Sequence, residues 1–292
     1  MHSISHIIRA QVRDIGFPVR RLLPNEEVRT VGPFVFFDHM GPFTFPADST
    51  SGDVRAHPHI GLATVTYLFS GAMMHRDSLG SVQRITPGDI NWMTSGRGIT
   101  HSERVPEDIR QQGIAVQGLQ MWVALPQKDE ETEPGFWHTP AVNLPRVKLE
   151  GADLHVLAGQ AFGQLSPVKT YSETLYVSAK LSAGAQLHVA PDYAERAIYI
   201  LSGTLSIDGQ TVLQGALVLL VTGADVLVEA QSDASFMLLG GEPLDGPRFL
   251  WWNFVATTTD RIEVAKAAWA NQQKDFFPPV PGETEFIPLP EH

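Results

Sequence analysis

Short runs of β-branched and aromatic residues, cut by glycine and proline every few positions, govern what this chain can fold into. Thr64-Val-Thr-Tyr-Leu-Phe69 ends at Ser70-Gly71, and Leu119-Gln-Met-Trp-Val-Ala-Leu125 is stopped by Pro126. Comparable apolar runs cover 154–158, 175–181, 197–201, 205–207, 216–220, 226–228 and 236–239. Such spacing predicts an all-β fold of sandwiches or barrels. The pattern also repeats. Tyr67-Leu-Phe-Ser-Gly71 matches Tyr199-Ile-Leu-Ser-Gly203, and a second glycine follows each, in Pro87-Gly88-Asp89 and Gln214-Gly215-Ala216. Matched order predicts two copies of one β-barrel, joined within 127–150, where Gln127-Lys-Asp-Glu-Glu-Thr-Glu-Pro-Gly135 is charged and turn-rich. We place the division after residue 135, giving domains 1–135 and 136–292. A chain of 292 residues is ample for two hydrophobic cores.

One helix is expected. Asp260-Arg-Ile-Glu263 reads as a capping box with Asp260 as N-cap, and Ile262, Ala265 and Trp269 recur at helical spacing. The helix is predicted to run to about Lys274, before Phe276-Phe-Pro-Pro279, and to belong to the second domain with an extended, proline-rich tail.

Chemistry enters with His57-Pro-His59 and His101-Ser-Glu103. Each pair is spaced i, i+2, and on a strand residues two apart share a face. Two strands can therefore aim three imidazoles and one carboxylate at one point, a donor set suited to a divalent transition metal. The repeat tests whether both barrels carry such a site. Equal offsets from Tyr199 and Gly215 fall on Val189, Pro191, Val228 and Ala230, none of which binds a metal. The first barrel is expected to keep a site and the second to have none.

Composition bounds the alternatives. There is no cysteine, so the metal must be held by nitrogen and oxygen. Net charge is −11 with only 21 Lys plus Arg, which argues against direct nucleic-acid binding. The apolar run near Met1 is too short for a signal peptide, and no stretch approaches bilayer-spanning length. A cytoplasmic protein with no membrane association is expected. Two barrels in one chain can imitate a dimer, which points to a monomer.

The chain resembles the pirin family of bicupins over nearly its whole length. The resemblance is carried by Val31-Gly-Pro-Phe-Val-Phe-Phe-Asp-His-Met-Gly-Pro42, by His57-Pro-His59, by Pro87-Gly-Asp-Ile-Asn-Trp-Met-Thr-Ser-Gly-Arg-Gly-Ile-Thr-His-Ser-Glu103 and by Gly241-Glu-Pro-Leu-Asp-Gly-Pro-Arg-Phe-Leu-Trp-Trp-Asn-Phe-Val255. It implies two tandem cupin (jelly-roll) barrels, with iron held only in the first by His57, His59, His101 and Glu103. It further implies Fe(II), with Mn, Ni, Cu or Zn as alternatives, and a quercetin 2,3-dioxygenase-like reaction of a flavonol or similar small molecule with O2. Glu103 is the candidate general base for the substrate hydroxyl. An alternative is a non-enzymatic, redox-responsive regulator acting through a protein partner. The family usually reads His-Pro-His-Arg-Gly-Phe-Glu-Thr, whereas this chain has Ile60 and Ala63 at the Arg and Glu positions. Metal binding is expected to survive that change, while substrate orientation or tuning of the ligands is altered.

Other residues take bland readings. His2, His6, His39, His75, His138, His155, His188 and His292 are read as non-ligands, with His39 in a turn held by Asp38. Trp92 and Met93 are expected to pack the barrel, Trp251-Trp252-Asn253 to fill a domain interface, and Arg97 to tie down its loop.

Overall fold

A computed structural model describes residues 3–291, and its strands group into two compact units. The site unit comprises Arg13–Val19, Phe37–Ala141 and the described residues from Asp245 onward. The second unit comprises the described residues up to Val12, Arg20–Phe36 and Val142–Leu244. This differs from the division expected after residue 135. The strand Gly135–Thr139 pairs with Ile90–Thr94 and so completes the first barrel. The strand Ile4–Arg9 pairs with Ala216–Leu220 in the second unit, and the helix groups with the site unit. Open sheet edges and apolar faces take whichever segment can cover them, irrespective of chain order. His2 and His292 lie outside the described residues.

In the site unit, β1 (Val54–His59), β2 (Leu62–Ser70), β3 (Met73–Asp77), β4 (Val82–Ile85), β5 (Ile90–Thr94), β6 (Ile99–Arg104), β7 (Val116–Ala124) and β8 (Gly135–Thr139) form two faces. One sheet has the order β1-β6-β3-β4, and in the other β8, β5, β2 and β7 lie side by side. The turn from β1 into β2 depends on Gly61. Its φ is +68°, and an added Cβ would lie 2.0 Å from the Val255 carbonyl oxygen, so only glycine fits.

Two short assignments change. A five-residue helix, α1 (Glu107–Gln111), follows β6 and was not legible as a helix because it is barely one turn. The longer helix, α2, spans Thr259–Ala270, and its N-cap is Thr258 rather than Asp260. Thr258 is extended (φ −131°) and its Oγ1 accepts from the Arg261 N–H at 3.4 Å, leaving Asp260 in the first turn, where the helix dipole favours an acid. The expected apolar stripe holds: Ile262, Ala265 and Trp269 are buried, together with Ala268.

The second unit contains a seven-stranded sheet and a four-stranded sheet that includes β9 (Gln186–Val189), β10 (Thr204–Ile207) and β11 (Val226–Ala230). β11 sits between β9 and β10 as β6 sits between β1 and β3. Pairing sets the equivalences directly. Ile99 faces His59 and His101 faces His57, as Val226 faces Val189 and Val228 faces Leu187. The slots corresponding to His57 and His59 are thus Leu187 and Val189, two residues earlier than the sequence offset placed them. The slots of His101 and Glu103 are Val228 and Ala230, as expected. All four are buried in an apolar core with Leu205, Ile207 and Phe236. His188 points outward, beside Asp225 at 3.7 Å. Phe236 is completely buried there. Phe236→Ala is expected to cost about 3–5 kcal/mol in chemical denaturation of this unit while leaving metal uptake by the site unit intact.

Candidate metal centre

Two strands and a bulge assemble the site. β1 and β6 are antiparallel, with His57 opposite His101. Between His101 and Glu103 the register slips, since Glu103 pairs with Val54 rather than Arg55. On its other edge β6 pairs regularly with β3, placing Glu103 opposite His75 and His101 opposite Asp77. The potential ligand atoms of His57, His59 and His101 all lie within 4.8 Å of one another, the one such group among the described residues. Ring centroids are 4.3 Å apart for His57–His101, 5.0 Å for His59–His101 and 5.1 Å for His57–His59. Glu103, the fourth expected donor, shares the strand face but stands outside this tight group, half-buried beside it.

Two of the three imidazoles are oriented by backbone carbonyls. His57 Nδ1 lies 2.8 Å from the Arg55 oxygen and His59 Nδ1 lies 2.9 Å from the Asn253 oxygen. With Nδ1–H donating, each ring presents Nε2 as a free lone pair, the arrangement used to fix a metal-binding histidine. His101 differs. Both its ring nitrogens are buried and neither has a hydrogen-bond partner. A buried polar atom without a partner costs about 1–3 kcal/mol. A cation bound at the convergence of the three rings would take one of those nitrogens as a donor and remove its share of that cost, so the residues present fit a metal.

Electrostatics favour neutral ligands. Burial pushes His57 down to about 4, against the pull of its Arg55 hydrogen bond. Burial, then the neighbouring rings, hold His59 and His101 well below the ordinary imidazole value. Neutral imidazoles can bind a metal without first losing a proton. Burial acts oppositely on Glu103, raising its carboxyl to about 7.

The opposite sheet supplies a wall. Trp122, Thr64, Met93 and Phe136 occupy one cross-strand row, and Gln120, Thr66, Asn91 and His138 the next but one on the same face. Both ends of the first row touch the histidines: Trp122 lies 5.2 Å from the His59 ring, and Phe136 stacks on His75 at 4.2 Å. The second row is polar and internally bonded, through Thr66 Oγ1 to Gln120 Oε1 at 2.8 Å and His138 Nδ1 with Asn91 Oδ1 at 2.7 Å. Met93 therefore faces the site, whereas Trp92 packs on the other face of its strand.

Several expectations are revised by these placements. His75, read as a bystander, lies 5.3 Å from the His101 ring, with its Nε2 bonded to Asp77 Oδ2 at 3.0 Å. It is not a free ligand but a wall residue fixed by a buried aspartate, and the His75-Arg-Asp77 spacing was a legible i, i+2 signal. Burial alone would raise the Asp77 carboxyl, yet hydrogen bonds from His75 and Ser81 hold it below its ordinary value. Asn253, assigned to an interface, orients His59 through its carbonyl, while Trp251 and Trp252 pack beside the cluster around Phe254 and α2. His39 lies within the strand Phe34–Phe43 rather than a turn, 3.0 Å from Gln117 Nε2. Arg97 does tie down its loop, pairing with Glu133 at 2.8 Å on the surface. Ile60 is packed in the Phe254 cluster, and Ala63 lies on the opposite strand face from Thr64. Both departures from the family pattern are therefore off the wall that faces the histidines.

Comparison with known proteins agrees with this construction. Residues 16–123 match the pirin family model, and 176–275 match the pirin C-terminal cupin domain. A pirin-like protein of Caulobacter vibrioides is 45% identical over 99% of this chain and 100% of its own length. Human pirin is 32% identical, covering 94% of this chain and 93% of its own. Among solved structures, a quercetin 2,3-dioxygenase from Acinetobacter baumannii superposes with a TM-score of 0.89 at 34% identity, covering 98% of this chain and 95% of that one. Among the described residues no helix is long and apolar enough to cross a membrane.

Proposed function

The chain belongs to the pirin family of two-barrel cupins, and from that premise we propose that it is an Fe(II)-dependent dioxygenase of the quercetin 2,3-dioxygenase type, acting on a flavonol or a similar enediol-like small molecule with O2. The observation that carries the reading is His101, whose two buried, partnerless nitrogens sit within a group of neutral imidazoles. The name and 34% identity of the Acinetobacter structure support the reaction class.

His57, His59 and His101 would hold the metal, with Glu103 as the fourth ligand or the adjacent base. When bound, the metal supplies a redox-active centre with coordination positions left open beyond the protein's own donors. The chain's residues do the rest. Trp122 and Phe136 offer flat apolar surface to an aromatic ring and exclude water from it. Thr66, Gln120 and Asn91 lie one layer away, with donors and acceptors suited to ring hydroxyls. A Glu103 carboxylate oxygen takes the proton of the substrate's acidic hydroxyl, and a pKa near 7 matches that task at neutral pH. O2 consumption by protein reconstituted with Fe(II), measured across a panel of flavonols, tests the proposal. Metal-dependent uptake is expected. Uptake that is absent for every flavonol, beside a reversible Fe(II)/Fe(III) cycle, would instead favour a regulator.

A further inference from the structure

His59 and His57 are each held by a hydrogen bond to a ring nitrogen, but His101 is not. Beyond packing against the neighbouring rings, its position comes from the backbone of β6. On β6 the side chains of Ser102 and Arg104 point away from the site, since they alternate with His101 and Glu103. There they meet a segment that follows α2. Glu283 Oε1 accepts from Ser102 Oγ at 2.8 Å and from Arg104 Nε at 3.2 Å, and Glu283 Oε2 accepts from a second Arg104 nitrogen. The same segment pairs with the other ligand strand. Phe286 bridges Ala56, and Ile287 N–H donates to the Ala56 carbonyl at 2.8 Å. α2 anchors it through Trp269 Nε1, which donates to the Ile287 carbonyl at 2.9 Å.

A cavity of about 160 Å³, lined by Ala56, Thr100, Trp269, Phe277, Glu283 and Phe286 among others, lies beneath this strap. The ladders with β1 and β3 set the register of β6, and the bidentate Glu283–Arg104 pair adds a geometrically specific link at its back. Both partners are largely buried, with side-chain exposures of 21% for Arg104 and 7% for Glu283. Arg104 also reaches Asp53 at 3.4 Å, and Asp53 caps the Val105 N–H at 2.9 Å, so the end of β6 is gripped from both sides.

We propose that Glu283 is a positioning residue for the metal centre: by clamping Ser102 and Arg104 from the back of β6, it holds the one histidine that has no hydrogen-bonded anchor of its own. The inference rests on the three-histidine group binding a metal and not on the dioxygenase reaction. Cobalt(II) titration of full-length protein, followed by its ligand-field absorption, tests it, with thermal melts of the metal-free forms alongside. Glu283→Ala is expected to weaken cobalt binding about 10-fold or more, the range typical of partners behind the ligands, and to alter the absorption envelope. Glu283→Gln still accepts from Ser102 and one Arg104 nitrogen, so it should recover most of the affinity and a near-native spectrum. If the alanine variant does not fold, Ser102→Ala, which removes one clamped partner of Glu283, takes its place and is expected to weaken cobalt binding in the same direction. Unchanged affinity and spectrum in Glu283→Ala, or in Ser102→Ala where it stands in, even with a lower melting temperature, would overturn the proposal and leave the strap a stabilising feature only. If the unaltered protein takes up no cobalt, the metal centre itself fails, and the inference falls with it.

Discussion

His101→Ala is expected to yield protein that folds, carries little metal and consumes no O2 with a flavonol. His101 completes a triangle of rings, 4.3 Å from His57 and 5.0 Å from His59. Removing it leaves two imidazoles, which are also the two already oriented by carbonyls. Affinity should fall by well over the roughly 100-fold seen when only a supporting residue is lost. The fold should tolerate the change, because the substitution deletes two buried nitrogens that lack partners in the metal-free protein. That relief offsets part of the lost packing. Elemental analysis of protein purified without added metal, beside a calorimetric metal titration, provides the measurement. Normal metal content, or undiminished O2 uptake, would remove His101 from the centre.

Acidity around neutral pH should expose the role of Glu103. Its carboxyl is raised to about 7 by burial, while His57 falls to about 4. If Glu103 is a ligand, it must lose its proton to bind. Metal affinity should then climb about 10-fold per pH unit up to pH 7 and level off above it. In Glu103→Gln the curve should be flat across that range, and flavonol-dependent turnover should fall at least about 100-fold for want of the base. Linkage adds a second, metal-free readout of opposite sense. A carboxyl whose folded value is raised contributes stability below its unfolded value of 4.5 and loses it as pH rises through about 7. Metal-free Glu103→Gln should therefore be more stable than the native chain at pH 8, by about 3 kcal/mol, and equal to it near pH 4. The histidines act in reverse. Their depressed values mean the unfolded chain binds protons more readily below 6.5, so both proteins lose stability as pH falls from there towards 4. A Glu103→Gln protein whose affinity tracks pH like the native one would mean that Glu103 neither ligates nor titrates at the site.

Much of this was legible before any fold was in view. Alternation on a strand is a local rule, so His57-Pro-His59 and His101-Ser-Glu103 announced shared faces on their own. The repeat around Tyr67 and Tyr199 announced two barrels, and apolar residues in the second copy announced one site. The same rule applied to His75-Arg-Asp77 would have flagged the stacked wall histidine, but a lone histidine on a strand is usually unremarkable. Capping was misread by two residues because Thr258 and Asp260 both suit an N-cap, and only the extended backbone at Thr258 separates them.

By itself, then, the sequence determined the β architecture, its duplication, the shared strand faces of the histidine pairs and which barrel carries them, because each follows from side-chain chemistry and short-range periodicity. Tertiary structure alone decided what surrounds these histidines. The Asn253 carbonyl reaches His59 across 194 residues and Glu283 reaches Ser102 across 181, and no periodicity spans such distances. It also decided that Glu103 stands outside the tight group of the three histidines and pairs with Val54 rather than Arg55 across the slipped β1–β6 register. Position along a strand is a property of the chain, whereas the groups facing that position belong to whichever distant segments cover the sheet.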